Sequence, residues 1–154
     1  MRTVAFGGSD CEALHEGWLG QPVNTVSSLA FVLAGAYMLR AGGSRPAAAA
    51  LGAVGVGSGL YHGPMPSWAE VVHDGSIAAL PAVLVVEWRR GRLPRPPLSA
   101  VLTFAAAVLV NVLTRTDAPL CDPDSVVQGH AVWHVLTALA LALWLRRSVD
   151  SVPA

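Results

Sequence analysis

Val126-Val-Gln-Gly-His-Ala-Val-Trp-His-Val-Leu-Thr-Ala-Leu-Ala-Leu-Ala-Leu-Trp-Leu145 runs for twenty residues without a formal charge and is followed at once by Arg146 and Arg147. About 20 apolar residues, rising ~1.5 Å each, are what an α-helix needs to cross the ~30 Å hydrocarbon core of a bilayer. Four stretches of the same kind precede it, at 22–39, 46–62, 68–88 and 98–114. The breaks between them carry turn and helix-stop chemistry: Arg40 to Pro46 with two glycines, Gly63-Pro-Met-Pro-Ser67, Arg89-Arg-Gly-Arg-Leu-Pro-Arg-Pro-Pro97, and 115–125 with Pro119 and Pro123. The pattern predicts an all-α chain: a single integral membrane domain over 1–154, with about five transmembrane helices and a polar N-terminal segment over 1–21. That segment has no continuous apolar run of the kind a cleavable signal peptide carries, so it is expected to be retained.

Composition agrees. Of 154 residues, 53% are hydrophobic and 13% charged, about half the ~25% charge of a soluble domain. This excludes a disordered chain, nucleic-acid binding through a basic face and an ordinary cytosolic enzyme. The ten basic residues are all arginine and balance ten acidic ones, so any asymmetry lies in their placement. Arg40, Arg45, Arg89, Arg90, Arg92, Arg95, Arg146 and Arg147 fall on one side of the five spans, Arg2 and Arg115 on the other. The positive-inside bias then predicts an outer N-terminus and a cytoplasmic C-terminus, with Trp18, Trp68 and Trp133 at the outer interface and Trp88 and Trp144 at the inner one. An alanine-rich, lysine-free composition points to GC-rich bacterial coding and hence to a bacterial inner (plasma) membrane. Cys11 and Cys121 make at most one bridge.

Ionisable residues in or beside these spans gather at one depth. His62 closes the second span at its outer end, His73 and Asp74 lie in the outer turns of the third, and His130 and His134 in those of the fifth. Such groups are costly in a membrane and usually face the bundle interior in the service of a function. The i, i+4 spacing of His130 and His134 sets both imidazoles on one face, one turn apart. With His62 as a third ligand, a tetrahedral zinc would keep one position open for water, the arrangement of catalytic zinc. Asp74 could orient and deprotonate that water near the outer leaflet, and Ser58 lies one turn before His62 on the same face. His73 is about 100° round the helix from Asp74 and reads as a rim residue. The plainer reading makes the histidines interhelical hydrogen-bond partners without a metal. Gly52, Gly55, Gly57 and Gly59 read as a close-packing surface.

Gly55-Val-Gly-Ser-Gly-Leu-Tyr-His62, then Asp74, then Gly129-His-Ala-Val-Trp-His134, resembles the SxxxH, D and HxxxH pattern of the CREST superfamily of membrane zinc hydrolases. The alkaline ceramidase branch is most similar, because Asp10-Cys11-Glu12 and Asn24-Thr-Val-Ser27 look like its acidic N-terminal segment and its first-helix motif. The resemblance implies a zinc-dependent amidohydrolase that cleaves the carbon–nitrogen bond of a ceramide-like or N-acyl lipid. It gives His62, His130 and His134 as zinc ligands, with Asp74 and Ser58 as catalytic groups. It also implies a disulfide between the N-terminal segment and a later loop, here Cys11 with Cys121, and a calcium site for which Asp10, Glu12 and Asn24 supply oxygen ligands. The family has seven spans against five here, so the lipid cavity is expected to be more open or to be completed by a homo-oligomer. Gly20-Gln-Pro-Val23 replaces the acidic residue expected before Asn24. The alternatives are a lipid esterase or phospholipase with the same site, and a non-catalytic zinc-bearing lipid receptor.

Overall fold

The computed structural model describes residues 8–149. Arg2, and the side chains of Arg146 and Arg147, on which the charge reading drew, lie outside the described residues. Among the described residues there is no strand, and six helices form five rods. The helices α1 (Pro22–Ser27) and α2 (Leu29–Arg40) make one rod broken at Ser28. The break has a local cause. The hydroxyls of Thr25, Ser27 and Ser28 donate back to the carbonyls of Gln21 and Asn24 at 2.6, 2.9 and 2.8 Å, a pattern that competes with the helical ladder and bends it.

The helix α3 (Arg45–His62) opens on Ser44, whose Oγ accepts the Ala47 N–H at 3.3 Å, with Pro46 in the first turn where no N–H is needed. Next come α4 (Ala69–Arg89) and α5 (Leu98–Leu113), the latter starting after Pro97. The last, α6 (Gly129–Val149), begins three residues later than the apolar pattern suggested. The side-chain amide of Gln128 folds back to donate to the carbonyls of Asp122, Pro123 and Ser125 at 3.0, 3.2 and 2.7 Å, so 126–128 belong to the loop. Two rods, Pro22–Arg40 and Ala69–Arg89, are long and apolar enough to cross a membrane, and Leu98–Leu113 and Gly129–Leu145 are apolar but shorter.

The rods pack in the order α4, α3, α2, α6, α5, and α1 sits against α3 and α6. The two ends of this crescent, α4 and α5, follow one another in sequence yet do not pack along each other. The core gathers Phe31, Met38, Leu51, Val54, Leu84 and Leu145. Glycine permits the closest approaches. A Cβ on Gly35 would stand 2.7 Å from the Ala48 carbonyl oxygen, and one on Gly55 2.6 Å from a Val32 methyl. At Gly57 the neighbour is α4, whose Ser76 Oγ and Val72 carbonyl would lie 3.0 and 3.2 Å from a Cβ. This contact fixes the rotation of α4 about its axis. At the arginine-rich end the buried Glu87 carboxylate accepts from Ser44 Oγ at 2.6 Å and from Arg92 at 3.0 Å, tying α3 to the end of α4.

Candidate metal centre

His62, the last residue of α3, and His130 and His134, in the first two turns of α6, each present one nitrogen, and the three nitrogens lie within 4.8 Å of one another. Their orientation is set from behind. His62 Nδ1 lies 2.6 Å from Gln21 Oε1, His130 Nδ1 3.2 Å from Asn111 Oδ1, and His134 Nδ1 2.8 Å from Ser27 Oγ. Since the Ser27 hydroxyl donates its single proton to the Asn24 carbonyl, it accepts from His134. All three rings are therefore assigned as Nδ1–H donors, which leaves each Nε2 with a lone pair. The Nε2 atoms of His62 and His130 are buried with no hydrogen-bond partner, and that of His134 lies 3.3 Å from Ser58 Oγ. An unpaired buried polar atom costs about 1–3 kcal/mol. Two of them converging with a third imidazole nitrogen form a donor set that suits zinc, with outer partners holding each ring as they do in zinc sites.

The N-terminal segment is built into this arrangement. Gln21 is buried, and its Nε2 donates to the Glu12 carbonyl at 2.9 Å while its Oε1 faces His62. Its backbone N–H bonds to the His62 carbonyl at 2.8 Å, next to a Gly20 to Gly63 bond at 2.9 Å. Cys11 and Cys121 form a disulfide with a Cα–Cα distance of 5.6 Å, which pins this segment to the loop before α6. Gly129 adds a tight contact. A Cβ there would run into Thr114 at the end of α5, so glycine lets α6 start where His130 reaches the cluster.

The structure exchanges the expected positions of His73 and Asp74. Asp74 is 70% exposed and His73 14%. His73 lines a cavity of about 120 Å³ together with Ser58, His130 and His134, and stacks on Tyr61 with ring centroids 4.3 Å apart. The Asp74 carboxylate lies behind it, accepting from His73 Nδ1 at 2.9 Å. The cause is the close contact of α4 with Gly57, which turns the Val72, His73 and Ser76 side of the helix toward α3 and sends Asp74, one ~100° step on, to the surface. Ser58, by contrast, is buried at the cavity, where Ser28 Oγ bonds to it at 3.0 Å.

Of the three residues expected to hold calcium, two have their carboxylates engaged by other groups. Glu12 accepts the N–H groups of Val23 and Asn24 at 2.7 and 2.8 Å, closing the start of α1. Asp10 accepts from Ser9 at 3.0 Å and stands 3.5 Å from His130 Nδ1. The side-chain amide of Asn24 is buried without a partner. Asp10 is thus a neighbour of the histidine cluster and Glu12 a support for α1. Gln21, Ser27 and Asn111, which hold the rings, carried no role in the sequence reading. Asn111 is the one amide side chain in α5, and a lone amide in an apolar span was the signal available for it. No protein-family profile, curated protein or solved structure matches the chain.

Proposed function

We propose that the chain is a membrane-embedded zinc hydrolase that cleaves the amide bond of a ceramide-like or N-acyl lipid, in a bacterial inner membrane with the histidine cluster near the outer leaflet. The observation that carries this reading is the convergence of three imidazole nitrogens, two of them buried and unpartnered, on a cavity shared with Ser58 and His73. A membrane setting accords with the apolar rods and with the exposed side chains they carry, among them Leu29, Leu33, Val71, Leu98, Leu102 and Leu109. The motif resemblance to alkaline ceramidases supports the same substrate class.

His62, His130 and His134 would hold the metal, which when bound polarises a carbonyl and makes water a nucleophile near neutral pH. Gln21, Asn111 and Ser27 keep the three rings turned to the centre. Ser58, whose hydroxyl faces the cavity, donates to the carbonyl oxygen of the substrate as negative charge gathers there. His73, with Asp74 fixing its proton on Nδ1, takes a proton from the attacking water at Nε2 and delivers it to the leaving nitrogen. Hydroxide thus ends on the acyl carbon and hydrogen on the amine, giving a fatty acid and a free amine. Asp74 acts through His73.

The test is zinc content per chain in detergent-purified protein, followed by turnover of N-acyl lipids and of matched ester lipids. Wild type is expected to hold about one zinc, His62→Ala and His130→Ala to lose it, and Asp74→Ala and His73→Ala to keep it. Loss of His73 should lower kcat by about 10²-fold or more. Wild-type protein that binds no zinc would overturn the reading, and turnover of the ester alone would move the substrate to an esterase or phospholipase class.

A further inference from the structure

The far end of α4, about 21 Å along the helix from His73, carries a concentration of positive charge that the hydrolase reading does not use. In sequence that end of the bundle has eight of the ten arginines, against Glu87 and Asp150 among the acidic residues. Two of the arginines are organised by Glu87. Its side chain is 2% exposed, and one of its carboxylate oxygens lies 3.0 Å from Arg92 and 3.6 Å from Arg90. Its other oxygen accepts from Ser44 Oγ at 2.6 Å. A single buried carboxylate thus gathers two guanidiniums and neutralises one of them. Both meet the same oxygen, so they stand close enough for one phosphate to span. The Arg90 and Arg92 side chains are still 58% and 57% exposed, and a guanidinium has five N–H donors, so donors remain on their outward edges together with a surplus charge. Among the described residues, Arg40, Arg45, Arg89 and Arg95 have no carboxylate within ion-pair distance, so that surplus is not cancelled there. Tryptophan marks the depth. Trp88, between Glu87 and Arg89, is 55% exposed, and Trp144 donates its indole N–H at 2.7 Å to the carbonyl of Pro94, between Arg92 and Arg95. Such rings gather at the headgroup level of a bilayer, which sets Arg90 and Arg92 at the level of the lipid phosphates.

We infer that Arg90 and Arg92, held in place by Glu87, bind the phosphodiester of an anionic phospholipid in the leaflet on the arginine-rich side. The planar guanidinium fork matches phosphate oxygens in pairs, and basic pockets beside membrane helices on the cytoplasmic side take anionic headgroups. Charge selects the lipid class. A zwitterionic headgroup brings an ammonium that meets the surplus positive charge, whereas an anionic phosphodiester brings none. The inference rests on the membrane setting proposed above and is independent of the hydrolase chemistry at the other end of α4.

The test is native mass spectrometry of the full-length protein in nonionic detergent, titrated with phosphatidylglycerol or with phosphatidylcholine of the same chains. Wild type is expected to retain phosphatidylglycerol in preference to phosphatidylcholine. The double variant Arg90→Gln, Arg92→Gln should weaken phosphatidylglycerol binding by about fivefold for each arginine lost, about 25-fold in all. The double variant Arg90→Lys, Arg92→Lys keeps the charge and an ion-pair partner for Glu87 but loses the fork, so it should fold as wild type does and still bind the lipid more weakly. Arg115→Gln, at the opposite end, should bind as wild type. Equal retention of the two lipids by wild type would overturn the inference. Wild-type affinity in the double lysine variant would reduce the effect to general charge and overturn the site, and release of the lipid by inorganic phosphate at millimolar concentration would make the occupant a free phosphate. A chain that stays in solution without detergent would instead remove the membrane setting. Selective phosphatidylglycerol binding by a protein that turns over no lipid would uphold this site and sink the hydrolase reading alone.

Discussion

Replacing Gln21 with leucine tests the hydrogen bond that orients His62, the first of the proposed metal ligands. Leucine removes two polar contacts of the buried Gln21 side chain, the 2.6 Å contact with His62 Nδ1 and the 2.9 Å bond to the Glu12 carbonyl. Two effects follow and are separable. Leaving the His62 N–H and the Glu12 carbonyl unpaired costs roughly 1–3 kcal/mol apiece in fold stability. For the metal, loss of an outer partner of a ligand histidine lowers affinity by about 10–100-fold, or about 1.4–2.8 kcal/mol, because the ring no longer has its tautomer and rotation fixed. Gln21→Glu keeps an oxygen opposite Nδ1 and makes that hydrogen bond charge-assisted, while its second oxygen faces the Glu12 carbonyl with no proton to donate, so zinc affinity should hold at the wild-type level while fold stability falls. The assay is competition for zinc against a chromophoric chelator, using detergent-solubilised protein whose folding is checked by circular dichroism. A zinc affinity for folded Gln21→Leu that equals wild type would refute the assignment of His62 Nε2 as a metal ligand positioned through Nδ1.

The remaining predictions concern the scaffold. Cys11→Ser or Cys121→Ser opens a bridge across 110 residues, for which the chain-entropy model gives at most about 5 kcal/mol of lost stability. Thermal melts should show a lower midpoint that reductant reproduces in wild type, and a wild type indifferent to reductant would contradict the bridge. Gly129→Ala drives a Cβ into the side chain of Thr114, and an overpacking cost of ~1–3 kcal/mol should outweigh the gain of up to ~1 kcal/mol in helix propensity. The expected outcome is weaker zinc binding and a lower melting midpoint, both restored by Thr114→Gly. Stripping zinc with a chelator should lower the melting midpoint of wild type and leave that of His134→Ala unmoved, since only a site that binds is linked to folding.

The rods were legible because each is closed off by residues that stop helices locally: Pro46 at the start of α3, Pro97 before α5, the glycines and arginines after α2 and α4. The i, i+4 pair and the depth of His62 likewise depend on spacing within one helix. The rotation of α4 was beyond such reasoning. Whether His73 or Asp74 faces the cavity turns on a single ~100° step, and the contact that decides it, with Gly57, is made by another helix. Gln21 escaped for a similar reason, being joined to His62 over 41 positions of sequence. The break at Ser28 and the late start of α6 come from side chains bonding to nearby backbone, which an apolar pattern does not register.

The order of the rods also says when the centre comes into being during synthesis. Among the described residues, everything through α4 forms one contiguous stack in which each rod meets the one before it, whereas α5 packs chiefly on α6, and α6 carries that pair onto α1 and α2. Gln21, Ser27 and His62 belong to the earlier stack, His130 and His134 to the last helix. The nascent chain thus holds half a binding site until its final helix docks, and two crosslinks then span the seam, the disulfide at the rim and any metal at the centre. If the three histidines hold an ion as proposed, metal affinity would be a readout of completed assembly, because the ion's binding free energy would at the same time hold the late hairpin to the early stack.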